Sequence, residues 1–290
     1  MPPRPQSVHA RPRRAAVGVL LAALLAGCGV PGMEPAPRAS DAASSPGPAA
    51  DGVRYGGGDD GVVAPDLADV RAPATASADG SIPVSGAGVG VAGEGDVRVD
   101  VYYDPACPWC RTLELQEGVA LRALVADGGV TLVHRPLAFL DARWGGTYST
   151  RAVNALAHVA DADPERYPDL LEALLVQQPE AGEAEGLDDD RIAAIAAEVG
   201  VDPAVVSRFT DATTTPYRVA LDDGGTEDRA AAARTFAPWV AAATHRAGLD
   251  LPEVTVPTVL VDGQPVGDWT EPGVLVTAVR DALAERAAGT

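Results

Sequence analysis

Val97-Arg98-Val99-Asp100-Val101-Tyr102-Tyr103-Asp104-Pro105-Ala106-Cys107-Pro108-Trp109-Cys110 is the stretch on which the fold turns. Val97, Val99, Val101 and Tyr103 alternate with Arg98, Asp100 and Tyr102, the period of two that puts opposite rows on opposite faces of a strand. Asp104 and Pro105 end the run, and the cysteines follow at once. Pro108 suits the first turn of a helix, so a helix is expected over 108–126, with Gly128 and Gly129 beyond its end. Two residues between the cysteines place both sulfurs in that first turn, close enough for a small disulfide ring. The first sulfur then meets unpaired helix amides, which favour a thiolate.

Working outward, 130–136 reads as a second core strand, and 82–91 supplies a Gly-interrupted edge strand. A long helical stretch is expected after it. Candidate starts are Ser149, Asp163 before Pro164, Asp188, Asp202 before Pro203, and Thr226, each ahead of an Ala-, Leu- or Val-rich run. Gly200 and Gly248 read as stops, and Pro238 as a kink within the helix from Thr226. Residues 258–261 return to strand, turn at Asp262-Gly263 and continue through 264–266. Thr270, Glu271 and Pro272 open a last helix that reaches about residue 288.

The chain has 290 residues and 47% hydrophobic content, enough for one sizeable core. Its N-terminus carries Arg11, Arg13 and Arg14 and then an apolar run over 15–26 that is short for a bilayer span, so 1–27 reads as an export signal. Residues 28–80 are dominated by Pro, Ala, Gly, Ser and Asp without sustained periodicity and read as a disordered tether, with a span on the order of 40 Å. The folded domain is expected over 81–290. The formal charge is −19; removing Arg4, Arg11, Arg13 and Arg14 with the leader makes it −23. Such a balance argues against nucleic acid and against docking onto anionic lipid. Outside the cytosol a lone pair of cysteines can persist as a disulfide, and a single close pair reads as redox-cycling rather than as a staple.

Two resemblances follow from these residues. Leu25-Ala26-Gly27-Cys28 resembles the bacterial lipobox, which implies a lipidated Cys28 as the mature N-terminus and a protein anchored at the outer face of the cell membrane. The strand, the CPWC motif, the helix, the second strand, the insertion and Val256-Pro257-Thr258 before a hairpin and helix are together similar to the DsbA-like thiol:disulfide oxidoreductases. Tyr148-Ser149-Thr150-Arg151-Ala152 also resembles a segment of their secreted and membrane-bound members. The likeness covers residues 81–288. It implies an α/β thioredoxin-like fold with a long all-helical insertion, about 145–250, between the second core strand and the cis-Pro strand. It further implies Cys107 as the attacked sulfur, Cys110 as the resolving thiol, and a cis bond before Pro257 that lets the Val256 backbone pair with an extended peptide. Pro108 and Trp109 join Val256 and Pro257 as expected substrate contacts.

One position departs from the pattern. Many relatives carry a buried acid six residues before the first cysteine, where this chain has Val101, which leaves Asp104, water or no dedicated group for proton transfer to Cys110. An Asp104 carboxylate would oppose the helix amides by raising the Cys107 pKa. His134, His158 and His245 show no metal-ligand spacing, so no metal and no cofactor are expected. Asp141 and Arg143 read as a loop ion pair. The leading function is a monomeric, membrane-anchored oxidant of cysteine pairs in exported proteins, reset by a membrane redox partner. An extracytoplasmic reductant or isomerase, a glutathione-dependent isomerase and a non-catalytic binding lipoprotein are the alternatives.

Overall fold

The computed structural model describes residues 61–179 and 186–289. The leader, Cys28 and most of the tether lie outside the described residues. In chain order the elements are β1 (Val62–Val63), β2 (Ile82–Ser85), β3 (Gly88–Val89), β4 (Val97–Tyr103) and α1 (Pro108–Leu113), which runs through a π-helical segment (Glu114–Gly118) into α2 (Val119–Asp127). After β5 (Val130–Pro136) come α3 (Phe139–Trp144), α4 (Tyr148–Ala162), α5 (Tyr167–Val176), α6 (Asp189–Glu198) and α7 (Pro203–Val206). Then follow β6 (Ala212–Ala220), β7 (Thr226–Arg234), α8 (Ala237–Asp250), β8 (Thr258–Val261), β9 (Gln264–Pro265) and α9 (Val274–Gly289).

The main sheet has six strands in the order β3-β2-β5-β4-β8-β9. Only β4 and β5 run parallel; the other neighbours are antiparallel. This is the thioredoxin-like fold that the CPWC context implied. Alternation along β4 does what a period of two requires. Val97, Val99 and Val101 are buried in one apolar cluster with Leu113, Leu121 and Val125 of the active-site helix and Leu275 and Val279 of α9. Tyr102 belongs instead to a cluster with Leu137 and Ala247. Asp100 shares that other row and is buried, with its carboxylate held by Arg98 at 2.7 Å and Arg135 at 2.7 Å. Burying a carboxylate is costly unless such partners meet it.

A third cluster joins the sheet to the insertion through Tyr103, Leu156, Tyr167, Leu170, Phe236 and Trp239. Tyr103 and Tyr167 place their hydroxyls 2.9 Å apart within it, so each buried phenol satisfies the other.

Four expectations need correction. The insertion is not all-helical: β6 and β7 form an antiparallel hairpin that pairs Ala212 with Arg234 and Ala220 with Thr226. Ala230–Ala233 favour a helix in isolation, yet β-branched Thr213, Thr214 and Thr215 supply a partner strand across a Gly-rich turn, and pairing overrides local propensity. Thr226 therefore starts a strand, and Pro238 sits in the first turn of α8, where its missing N–H costs nothing. Gly248 lies inside α8 and stops nothing, whereas Gly200 follows α6 with φ +82° as a helix stop requires. The folded part also begins before Ser81. β1 pairs with β6, Leu67 and Val70 pack against the insertion core, and Arg71 pairs with Asp161 at 2.9 Å, so residues 61–80 belong to the domain rather than to a tether. Among the described residues no helix is long and apolar enough to cross a membrane.

Candidate active site

Cys107 is the N-cap of α1 and Cys110 stands three residues on, with Pro108 between them in the first turn. Both stand as thiols, and both are only 2% exposed. Electrostatics, rather than exposure, separates them. The Cys107 sulfur accepts from the Cys110 amide at 3.4 Å, the contact expected of an N-cap side chain. Hydrogen bonding from the Cys110 thiol, and then from the Cys110 and Trp109 amides, holds the Cys107 thiol below its ordinary pKa, although burial and the Asp104 carboxylate push the other way. The donors and the opposing Asp104 charge are both present, and the donors win. Burial pushes the Cys110 thiol well up, and the neighbouring Cys107 sulfur adds to it. A thiol of lowered pKa and one of raised pKa thus sit on one helical turn.

The Val256–Pro257 bond is cis, and the Cys107 thiol donates to the Val256 carbonyl at 3.2 Å. These residues meet because β8, which begins at Thr258, lies antiparallel beside β4. Trp109 is 58% exposed and makes an edge contact with Trp269, ring centres 6.4 Å apart. Trp269 went unnoticed in the sequence, since a lone Trp in the segment before α9 carries no pattern.

Asp104 is fully buried beside this pair. It accepts from the Ala106 amide at 2.9 Å, the Leu140 amide at 2.8 Å and the Ser149 hydroxyl at 2.6 Å. Burial outweighs those three donors and pushes its carboxyl up to about 7. A group of that pKa can hold or release a proton near neutrality. Asp141 does not pair with Arg143; its two oxygens accept the Ser149 and Thr150 amides at 2.8 and 2.7 Å and so cap α4. The Tyr148–Ala152 segment therefore matters because it presents Ser149 to Asp104.

A further residue was not legible. The Gln178 side-chain amide, just past α5, donates to the Pro105 carbonyl at 3.0 Å and the Cys107 carbonyl at 3.1 Å, clamping the turn that carries the nucleophile. His134 and His158 are buried, with pKa values pushed down to about 3 and about 4, chiefly by burial. Among the described residues no three His, Cys, Asp or Glu side chains gather as metal ligands do.

A family model described as Thioredoxin matches residues 92–280. The chain belongs to the thioredoxin family. Its fold is similar to that of MdbA, a thiol-disulfide oxidoreductase from Actinomyces oris, with 20% identity over 74% of this chain and 95% of that one and a TM-score of 0.53. Oxidised BdbD from Bacillus subtilis is similar at 16% identity over 74% and 99% of the two chains, with a TM-score of 0.53. Reduced DsbA from Mycobacterium tuberculosis is similar at 22% identity over 72% and 98%, with a TM-score of 0.51. No curated protein matches this thioredoxin-family chain in sequence. These likenesses show a shared thioredoxin-like fold.

Proposed function

We propose that this protein is a thiol:disulfide oxidoreductase, anchored at the outer face of the cell membrane through Cys28, that oxidises cysteine pairs in exported proteins. The observation that carries the activity is the asymmetry of the two thiols: Cys107 held below and Cys110 pushed above the ordinary pKa on one helix turn. The Val256 carbonyl stands beside the Cys107 sulfur, where an extended peptide would pair.

With the pair oxidised, a substrate thiolate attacks the Cys107 sulfur. The Cys107–Cys110 bond breaks, Cys110 leaves with the electron pair and takes a proton, and a mixed disulfide forms on Cys107. The second substrate thiolate then attacks the substrate sulfur of that bond and Cys107 leaves as thiolate. The substrate loses two electrons and the CPWC pair gains them. A stabilised Cys107 thiolate is a good leaving group, which favours this direction. Asp104, whose charge acts on the Cys110 thiol, is the candidate to exchange its proton. A membrane redox partner must then remove two electrons to restore the disulfide. Trp109, with its exposed ring, and Pro108 would meet the substrate chain beside Val256 and Pro257. The apolar leader and Leu25-Ala26-Gly27-Cys28 support export and lipidation.

The deciding experiment is the reduction potential of Cys107/Cys110 against a glutathione series. A value near about −120 mV supports a disulfide donor, whereas one near about −270 mV sinks that direction in favour of a reductant.

A further inference from the structure

The hairpin of β6 and β7 has one guarded edge and one open edge. Along an antiparallel ladder the N–H and C=O of successive residues turn to opposite sides. The Ala220 amide bonds to the Gly61 carbonyl, on the β1 side, and the Thr235 amide bonds to the Asp211 carbonyl, across the hairpin. Even-numbered residues of β6 therefore turn to β1, and even-numbered residues of β7 turn away from the hairpin. On the β1 side the ladder stops for a plain reason. In the register of Val62 with Val219 and Val63 with Arg218, the next bonded pair would be Pro65 with Pro216, and neither has an N–H to give.

β7 carries no such guard. Among the described residues its one strand neighbour is β6. It is nine residues long, pairs with β6 one to one without a bulge, and holds neither proline nor lysine. Asp228, Ala230 and Ala232 are exposed and present their backbone groups outward. From Thr226 to Ala230 every residue is exposed, so both faces of that half meet water. A two-stranded ribbon is marginal by itself, and a long, flat, unguarded edge is a template for another strand.

We propose that β7 pairs antiparallel with β7 of a second copy of this chain, about a two-fold axis at Ala230, to make a four-stranded ribbon in the order β6-β7-β7-β6. Charge selects both the occupant and the register. A two-fold centred on Asp228 or on Arg229 would set like charges directly opposite each other, which is destabilising. Centred on Ala230, it sets Asp228 opposite Ala232 and Arg229 opposite Ala231, so the charged half of one strand meets the alanine half of the other. The strand is thus complementary to its own reverse. Asp228 and Arg229 are already answered within their hairpin, by Arg218 at 3.5 Å and Glu227 at 2.7 Å. Asp228, Ala230 and Ala232 of each copy would exchange main-chain hydrogen bonds with Ala232, Ala230 and Asp228 of the other. Such an interface is self-complementary and closes as a dimer, where the sequence suggested a monomer.

The test is sedimentation and amide hydrogen exchange of the purified chain from about 20 µM to about 1 mM, the range in which an interface of a few main-chain hydrogen bonds should associate. The sedimenting mass is expected to rise towards that of a dimer. Exchange at the Asp228, Ala230 and Ala232 amides should slow about fivefold over that range, while Arg229 and Ala231, already bonded to β6, should not change. Ala230→Pro removes an outward N–H and no bond of the hairpin, and should keep the chain monomeric. Should that variant fail to fold, Ala230→Lys sets two lysines against each other across the axis and should do the same. A monomer throughout the range, a dimer that survives the substitution, or slowing without alternation along β7 would each overturn the proposal.

Discussion

The sulfur of Cys107 and the carbonyl oxygen of Val256 are 3.2 Å apart although 149 residues separate them in the chain. The contact joins the start of α1 to the peptide before β8, and under the proposed function it puts the attacked sulfur beside the backbone that would pair with a substrate strand. If Cys107 is the sulfur that exchanges with substrate and Cys110 the one that resolves, Cys110→Ser should accumulate a mixed disulfide on Cys107, seen as a band that disappears on reduction. Cys107→Ser should accumulate none, and trapping on Cys110 instead would reverse the assignment.

Asp104 repels a Cys107 thiolate, so removing its charge has a definite sign. Asp104→Asn should lower the Cys107 pKa, because an opposing charge is gone while the Cys110 and Trp109 amides remain. Thiolate ultraviolet absorbance followed against pH reads this directly. An unchanged or raised Cys107 pKa would show that the carboxylate does not act on the sulfur.

The same carboxylate makes stability depend on pH. Its folded pKa of about 7 lies above the value of 3.8 for a free side chain, so the folded protein holds this proton more tightly than the unfolded chain does. The associated stability is present in full below about pH 4 and is lost as pH rises through 7, on the order of 4 kcal/mol in all. Urea unfolding at pH 5 and pH 8 should therefore show Asp104→Asn gaining on the unaltered protein as pH rises. A constant difference between the two proteins contradicts the assignment.

Gln178 holds the cysteine turn from the insertion. Gln178→Ala removes two hydrogen bonds to backbone carbonyls and should cost about 1 to 2 kcal/mol in urea unfolding. Hydrogen exchange at the Cys110 and Arg111 amides, which bond to the Cys107 carbonyl, should quicken more than exchange in β5. Uniform loss of protection would mean that the residue serves general stability alone.

Inside the third cluster, Tyr103→Phe strands the Tyr167 hydroxyl in a buried site. The expected loss is about 1 to 3 kcal/mol, measured by thermal or urea unfolding. Replacing both tyrosines by Phe should recover part of it, since no lone hydroxyl is then left behind.

Several elements were legible because their signals are local. A period of two marked β4, 130–136 was read as the strand that β5 is, and Asp188 and Asp202 announced caps whose carboxylates accept the Arg191 and Ala204 amides. The hairpin was not read, although Asp222-Asp223-Gly224-Gly225 beside a β-branched run was a turn signal in plain view. Its second strand is Ala-rich, and alanine leans to helix until a partner strand is present. The segment over 61–80 was misjudged because its composition is that of a linker, whereas the β1–β6 pairing, the Arg71–Asp161 pair and the packing of Leu67 and Val70 against the core make it structure.

Sequence alone determined the close cysteine pair, the strand before it, the helix after it and the Pro257 strand entry, because each rests on spacing within a few residues and on the chemistry of cysteine and proline. Tertiary structure alone decided what surrounds the pair. Ser149, Leu140, Gln178 and Val256 reach Asp104 or Cys107 from 36 to 149 residues away in the chain. No window along the sequence contains both ends of such contacts. The pKa values of Asp104 and the two thiols depend on burial and on those distant donors, and they exist only once the sheet and the insertion have closed around them.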